Sequence, residues 1–321
     1  MPVWRTSCAA IVGMFLAAAC SVATPAEDGE GSRVPSSPSP ATHVGEGGTA
    51  ASDGADGSEP SLPDPNAVLP RDPALIAARL SHTVRALNDA IDDWRSSGGT
   101  GTWPPPRAVV RLALDQQRIY QVLAGMGKNR LDATIRRLAS DIRPAARDAS
   151  LAAVRLAEGL AGVVVEEPVE MRTRAPMPPD TLRAYYERAS RRFDVPWTLL
   201  AAVHFMETKF GRVVSPSWAG AQGPMQFLPS TWDAFGMGGD IYDTRDAILG
   251  AANYLSATGS PHDDRAALWA YNPVDYYGDV VLAYDRLMRR DARNFYALYN
   301  WQVFVRTTSG LVQLTGPGAD A

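Results

Sequence analysis

The chain has 321 residues, with 31 basic and 35 acidic side chains, a formal net charge of −4 and 45% hydrophobic residues. That is enough apolar material for a sizeable core, and the charge balance lacks the basic excess that nucleic-acid binding demands. Two cysteines and four histidines (His43, His82, His204 and His262) leave little material for disulfides or a metal centre.

Residues 1–20 read as a signal peptide: Arg5 supplies the positive start, and Ala9 to Ala19 form an apolar run of eleven residues, too short for a stable span. The end of that run, Leu16-Ala17-Ala18-Ala19-Cys20, is similar to a lipobox, with the Leu one position early. That resemblance implies lipidation of Cys20 and an N-terminal membrane anchor. Ordinary cleavage and secretion is the alternative. Cys8 leaves with the signal, so the mature chain has no disulfide. Residues 21–70 are rich in Ser, Pro, Gly, Ala and Asp, and between Glu27 and Pro70 eight acids face one arginine. Such a segment cannot bury enough apolar surface to fold and reads as a disordered, acidic tether.

From Asp72 the pattern turns helical. Asp72-Pro73 is a cap and first turn, and Ile76, Leu80, Val84, Leu87, Ile91 and Trp94 repeat at three and four. After a break at Ser96 to Pro106, the spacing predicts three more helices: one carrying Leu112, Ile119, Leu123 and Met126, one carrying Leu131, Ile135, Leu138 and Ile142, and one from Leu151 to Leu160. Residues 71–167 thus read as a small helical bundle, a spacer or a surface for a cell-wall or division protein partner. A Pro-rich join follows at 168–180.

The next helix carries the chemistry. Asp194 is placed to cap it, Pro196 lies near its first turn, and Gly211 supplies a stop. Leu199, Val203, Met206 and Phe210 predict one buried face, with Glu207 on its margin. Burial there disfavours the anion and raises the pKa, as a general acid near neutral pH requires. The plainer reading is a solvated Glu paired with Lys209 or Arg212. Beyond it come Ser217-Trp218-Ala219-Gly220-Ala221-Gln222-Gly223, Met225-Gln226 and Pro229-Ser230-Thr231-Trp232, and later Ala251-Ala252-Asn253-Tyr254-Leu255 and Ala270-Tyr271-Asn272.

These ordered blocks, over roughly residues 181–290, resemble the lytic transglycosylases of bacterial cell-wall turnover, lysozyme-like enzymes with a soluble-lytic-transglycosylase domain. The Gln226-Phe227-Leu228-Pro229-Ser230-Thr231-Trp232 form looks most like the membrane-bound transglycosylase B type and its relatives in Gram-positive bacteria of high G+C. One departure is Pro273, where many members carry a small residue and Gly. The resemblance implies cleavage of the MurNAc-β-1,4-GlcNAc bond with formation of 1,6-anhydro-MurNAc, Glu207 acting as acid and then as base. It also implies that Ser217 hydrogen-bonds Glu207 or the acetamido group, and that Gly223, Met225, Gln226, Tyr271 and Asn272 shape the saccharide groove. Met225 and Tyr271 read equally well as core residues, and Trp218 and Trp232 as sugar-stacking or core aromatics.

Asp240, Asp243 and Asp246 are candidates for a second carboxylate, although Asp243 and Asp246 read more readily as caps of the helix through Ala247, Ile248, Ala251 and Leu255. His204 and Glu207 stand three apart on one helix face, a metal-site spacing, but no His-Glu-x-x-His pattern accompanies them. No metal and no cofactor is implied, and no Gly-x-Ser-x-Gly elbow is present. After Arg293, Tyr299 to Arg306 and Leu311 to Leu314 read as a hairpin about Thr307 to Gly310, in a C-terminal segment of 291–321. The expected fold is mostly α: a lysozyme-like helical catalytic domain at 181–290, preceded by the helical bundle and followed by a short β-hairpin. The expected protein is an exported membrane lipoprotein facing the wall and acting on peptidoglycan glycan strands. A lysozyme-type muramidase and a non-catalytic wall-binding lipoprotein are the alternatives.

Overall fold

A computed structural model describes residues 61–97, 103–167 and 169–319. The signal segment, Cys20 and residues 21–60 lie outside the described residues; of the 21–70 stretch, 61–70 are described, with the Pro63 and Ala67 carbonyls accepting from Arg111 and Arg118.

Four helices come first. The first, α1 (Pro73–Ser96), starts where Asp72 accepts the N–H groups of Ala74 and Leu75, with proline in the first turn. It buries Ile76, Leu80, Leu87, Ile91 and Trp94 against α2 (Arg107–Ala124). A bridge from Arg79 to Asp115, with Thr83 donating to the same carboxylate at 2.8 Å, pins that pair. The third helix, α3 (Lys128–Arg137), is shorter than its apolar spacing predicts. Leu138 turns extended (ψ 148°) and Ile142 already precedes α4 (Arg143–Gly159), whose start is set by Pro144.

The remaining elements are α5 (Pro179–Phe193), α6 (Trp197–Thr208), α7 (Pro229–Phe235), α8 (Thr244–Thr258), α9 (Asp264–Tyr271), α10 (Asp275–Arg290), α11 (Arg293–Tyr299), β1 (Phe304–Thr307) and β2 (Gly310–Gln313). The strands pair antiparallel from Phe304↔Gln313 to Thr307↔Gly310, leaving Thr308-Ser309 as the turn. The hairpin is there, but Tyr299 belongs to a helix. Phe295, Tyr296, Leu298 and Tyr299 are all buried and recur at helical spacing, so the core holds this stretch as α11.

The central element is α6, packed by α5, α8, α10 and α11. Every residue from Thr198 to Thr208 is buried. The expected single apolar stripe is therefore corrected: the helix is enclosed on all sides, as an apolar circumference permits. Its ends also differ from expectation. Asp194 sits in the left-handed region (φ 56°) and closes α5, while Pro196 occupies the cap position of α6 without a side-chain cap. At the other end the chain turns left-handed two residues before Gly211, at Lys209 (φ 52°) and Phe210 (φ 60°). Burial of Phe210 among His204, Phe205, Phe295 and Tyr299 holds that turn.

One apolar core runs from Leu69 to Trp301. Helix α4 lies along α10, where Asp148 accepts from Arg286 at 2.9 Å and Arg290 at 2.8 Å. Trp94 of α1 meets Tyr296 of α11 edge to face at 5.9 Å. Gln117 of α2 exchanges two hydrogen bonds with the backbone of Gln302 (2.9 and 2.7 Å). Because these contacts join residues 71–167 to the later helices, the full chain from residue 61 is expected to melt in one cooperative transition. Calorimetry checks this, and two separated transitions would mean that the two stretches fold independently.

Candidate active site

Glu207 lies in the last turn of α6 with 5% of its surface exposed. Its Oε1 accepts a hydrogen bond of 2.5 Å from the hydroxyl of Tyr277 on α10. Burial pushes the carboxyl pKa from 4.5 up to about 8, against the Tyr277 bond, which lowers it. The carboxyl is therefore largely protonated at neutral pH. The solvated pairing with Lys209 or Arg212 does not form. Lys209 is buried with Nζ 3.7 Å from the centre of the Phe205 ring, and the Arg212 guanidinium lies over Tyr299. His204, one turn earlier, is bonded through Nδ1 to Tyr186 at 2.7 Å, and burial drives its pKa down to about 3. Among the described residues no group of three or more His, Cys, Asp or Glu side chains is arranged to hold a metal.

The motif loop is tied to the Glu207 helix at several points. Thr208 donates to the Pro224 carbonyl at 2.6 Å and accepts from the Gly211 N–H at 3.0 Å. Tyr271, at the end of α9, donates to the Met225 carbonyl at 2.7 Å. Its ring lies parallel to that of Tyr277, with centroids 6.5 Å apart, so one tyrosine braces the loop and the other holds the acid. Within the loop, Gly223 takes φ 73°, and an added Cβ would stand 1.9 Å from the Ile241 carbonyl oxygen. Only glycine fits there.

The side chains expected to line a groove mostly serve the loop itself. Ser217 accepts the Ala221 N–H at 3.0 Å, and its backbone closes the same short turn. No hydrogen bond to Glu207 is made. Gln226, at φ 51°, donates to the Gly223 carbonyl at 3.0 Å. The Met225 side chain is fully buried in the core. Asn272 is buried and ends α9, its N–H bonded to Leu268 and its carbonyl to the Val274 N–H. Trp232 is wedged against Phe227, Gly236 and Gly250, whereas Trp218 stands 76% exposed at the turn tip.

The three aspartates hold backbone. Asp243 caps α8 through the Asp246 N–H, Asp240 accepts from Tyr242, and Asp246 accepts from the Asp240 N–H and pairs with Arg245. Two residues escaped the sequence reading. Tyr277 recurs with Val280, Val281 and Tyr284 at helical spacing and so reads as core, and Thr208 carries no signal apart from its place beside Glu207.

Residues 212–279 match the transglycosylase SLT domain family. Membrane-bound lytic murein transglycosylase F of Thiobacillus denitrificans is 32% identical over 83 residues, which covers 26% of this chain and 17% of that relative. No solved structure matches. The chain therefore carries a lytic-transglycosylase-like domain. The relative bears the F name, whereas the motif form looks most like the B type; the domain is what they share. The family match begins at Arg212, so Glu207 stands five residues outside it.

The raised pKa of Glu207 has a consequence for stability. The folded chain holds a proton that the unfolded chain releases between pH 4.5 and about 8. This group's contribution is complete below pH 4.5 and is lost as the pH rises through about 8. Glu207→Gln is expected to flatten that slope and to exceed the wild type near pH 9 by on the order of a few kcal/mol. Urea midpoints at pH 5 and pH 9 check this, and parallel losses in both proteins would overturn it.

Proposed function

We propose that this protein is a peptidoglycan lytic transglycosylase in which Glu207 is the acid and then the base. The observation that carries the reading is a single carboxyl, buried and protonated at neutral pH, held by Tyr277 beside an SLT-type loop. A protonated carboxyl can give its proton to the glycosidic oxygen as the bond to muramic acid breaks. The sugar's own acetamido group stabilises the cationic carbon. The carboxylate left behind then takes the proton of the 6-hydroxyl, which attacks that carbon and closes the 1,6-anhydro ring. One residue serves both steps, as microscopic reversibility allows, and no second carboxylate is required.

Glu207→Gln is expected to keep the fold and to lower turnover of purified peptidoglycan by about 10²–10⁴-fold or more. Wild-type activity is expected to fall as the pH rises through about 8, where Glu207 loses its proton. Mass spectrometry of the products should show muramic ends lighter by one water than the hydrolysed sugar. Reducing muramic ends would identify a muramidase using the same acid. Full activity in the variant would remove Glu207 from either reaction.

The protein is further proposed to be exported and anchored through Cys20, with the 21–70 tether spanning the distance to its substrate and residues 71–167 open to a wall or division partner. The relative's name describes a membrane-bound enzyme, and among the described residues no helix is long and apolar enough to cross a membrane. A lipid on Cys20 would supply the attachment. Cys20→Ser should move the protein from the membrane fraction to the soluble one. Retention of the variant on membranes would rule the lipid anchor out.

A further inference from the structure

An open cleft of about 460 Å³ lies between α5 and the start of α8, lined by Arg188, Arg191, Arg192, Arg245 and Leu249. Arg188, Arg191 and Arg192 stand at i, i+3 and i+4, so like charges share one helix face at an energetic cost. Of the acids nearby, Glu187 pairs with Arg183, and Asp246 pairs with Arg245 within the cleft, which leaves the other three α5 arginines without a carboxylate. Among the described residues no ion pair engages Arg188, Arg191 or Arg192. Placing Arg191 and Arg192 at the C-terminal end of α5 suits the helix dipole, but Arg188 and Arg245 lie outside that end.

This cleft adjoins a second one through Arg245. The second, also open and of about 320 Å³, is lined by Arg245 together with Arg174, Tyr185, Tyr242 and one carboxylate, Asp243, which is engaged in capping α8. Tyr242 donates to Gln222 of the motif loop at 2.9 Å, and the neighbouring Ile241 carbonyl is the group that Gly223 must approach. The two clefts share Arg245 and together carry five arginines as one basic track, and the second touches the motif loop through Tyr242.

We infer that this track binds the free carboxylates of the short peptide that branches from the muramic sugar, an assignment that rests on the peptidoglycan reading above. Arginine forks pair with carboxylates in a planar, two-pronged geometry. A branch leaving a sugar bound at the loop would run into the track, whereas an unlinked wall polymer has no reason to meet it there. The concavity suits a discrete branched ligand better than a flat lipid surface. Tyr185, Tyr242 and Leu249 offer the apolar contact that the aliphatic parts of such a peptide need.

The test uses the full chain and the triple variant Arg188→Gln/Arg191→Gln/Arg192→Gln. All three side chains are exposed and glutamine keeps the helix propensity, so the fold is preserved. Calorimetric titration with the free tetrapeptide L-Ala-D-Glu-meso-diaminopimelate-D-Ala is expected to show binding to the wild type, weakened roughly tenfold or more in the variant. Amidation of the peptide carboxylates should weaken wild-type binding similarly. In turnover, KM for peptide-bearing strands should rise roughly tenfold with kcat unchanged, while peptide-free glycan is cleaved alike by both proteins. Equal peptide binding by both proteins, or by neither, overturns the inference. So does arginine-dependent binding of a poly(glycerol phosphate) chain in place of the peptide. If the wild type cleaves no glycan the proposed activity fails, and the peptide titration still decides the track.

Discussion

The site depends on keeping one carboxyl out of water. Glu207 can be dry only because α6 is enclosed by α5, α8, α10 and α11, and those helices can pack that closely because α6 is mostly apolar and its Thr198, His204 and Thr208 side chains are all hydrogen-bonded. The position of Glu207 in the last helical turn adds to the effect, since the carbonyl end of a helix disfavours a further negative charge. A buried acid is costly to ionise, and the Tyr277 hydroxyl offsets part of that cost without removing it. Desolvation and one short hydrogen bond together leave a group near its midpoint at mildly alkaline pH.

The loop after α6 inherits its shape from the same constraint. Thr208 and Tyr271 bond carbonyls of the loop, and Gly223 admits the Ile241 carbonyl where any side chain would block it. Trp232 seats the following segment on α8 at Gly250. Most of the conspicuous polar and aromatic residues of the motif thus build a rigid backbone beside the acid. Rigidity of this kind fixes reacting groups in place before the substrate arrives.

The first four helices pack on α10 and α11 through α1, α2 and α4, and ion pairs help to hold them there. Asp148 joins α4 to two arginines of α10, and Asp115 joins α1 to α2. On α5 the pattern reverses, with three arginines left without carboxylates. Other arginines bond carbonyls in place of carboxylates, as Arg111 and Arg118 do, so what sets the α5 group apart is that three exposed ones share a single helix face.

Much of this could be read from the residues alone. Asp72-Pro73 opens α1 because a side-chain cap and a pre-set φ act within one turn, and Asp243 caps α8 for the same local reason. The ordered motif blocks marked the domain type, and the apolar setting of Glu207 marked a carboxyl of raised pKa. Other features needed the fold. No spacing rule shows that α6 is buried all round, since that depends on helices distant in sequence. Tyr277 lies 70 residues from Glu207 and looks like any core tyrosine until α10 crosses α6. Asp194 carries the composition of an N-cap yet ends the preceding helix, because the short connection and Pro196 decide which helix claims it. The sequence by itself determined where α1 and α8 begin and which carboxyl is unusual. Tertiary packing alone decided how dry that carboxyl is and what holds it, because desolvation is a property of everything around a group and not of its neighbours along the chain.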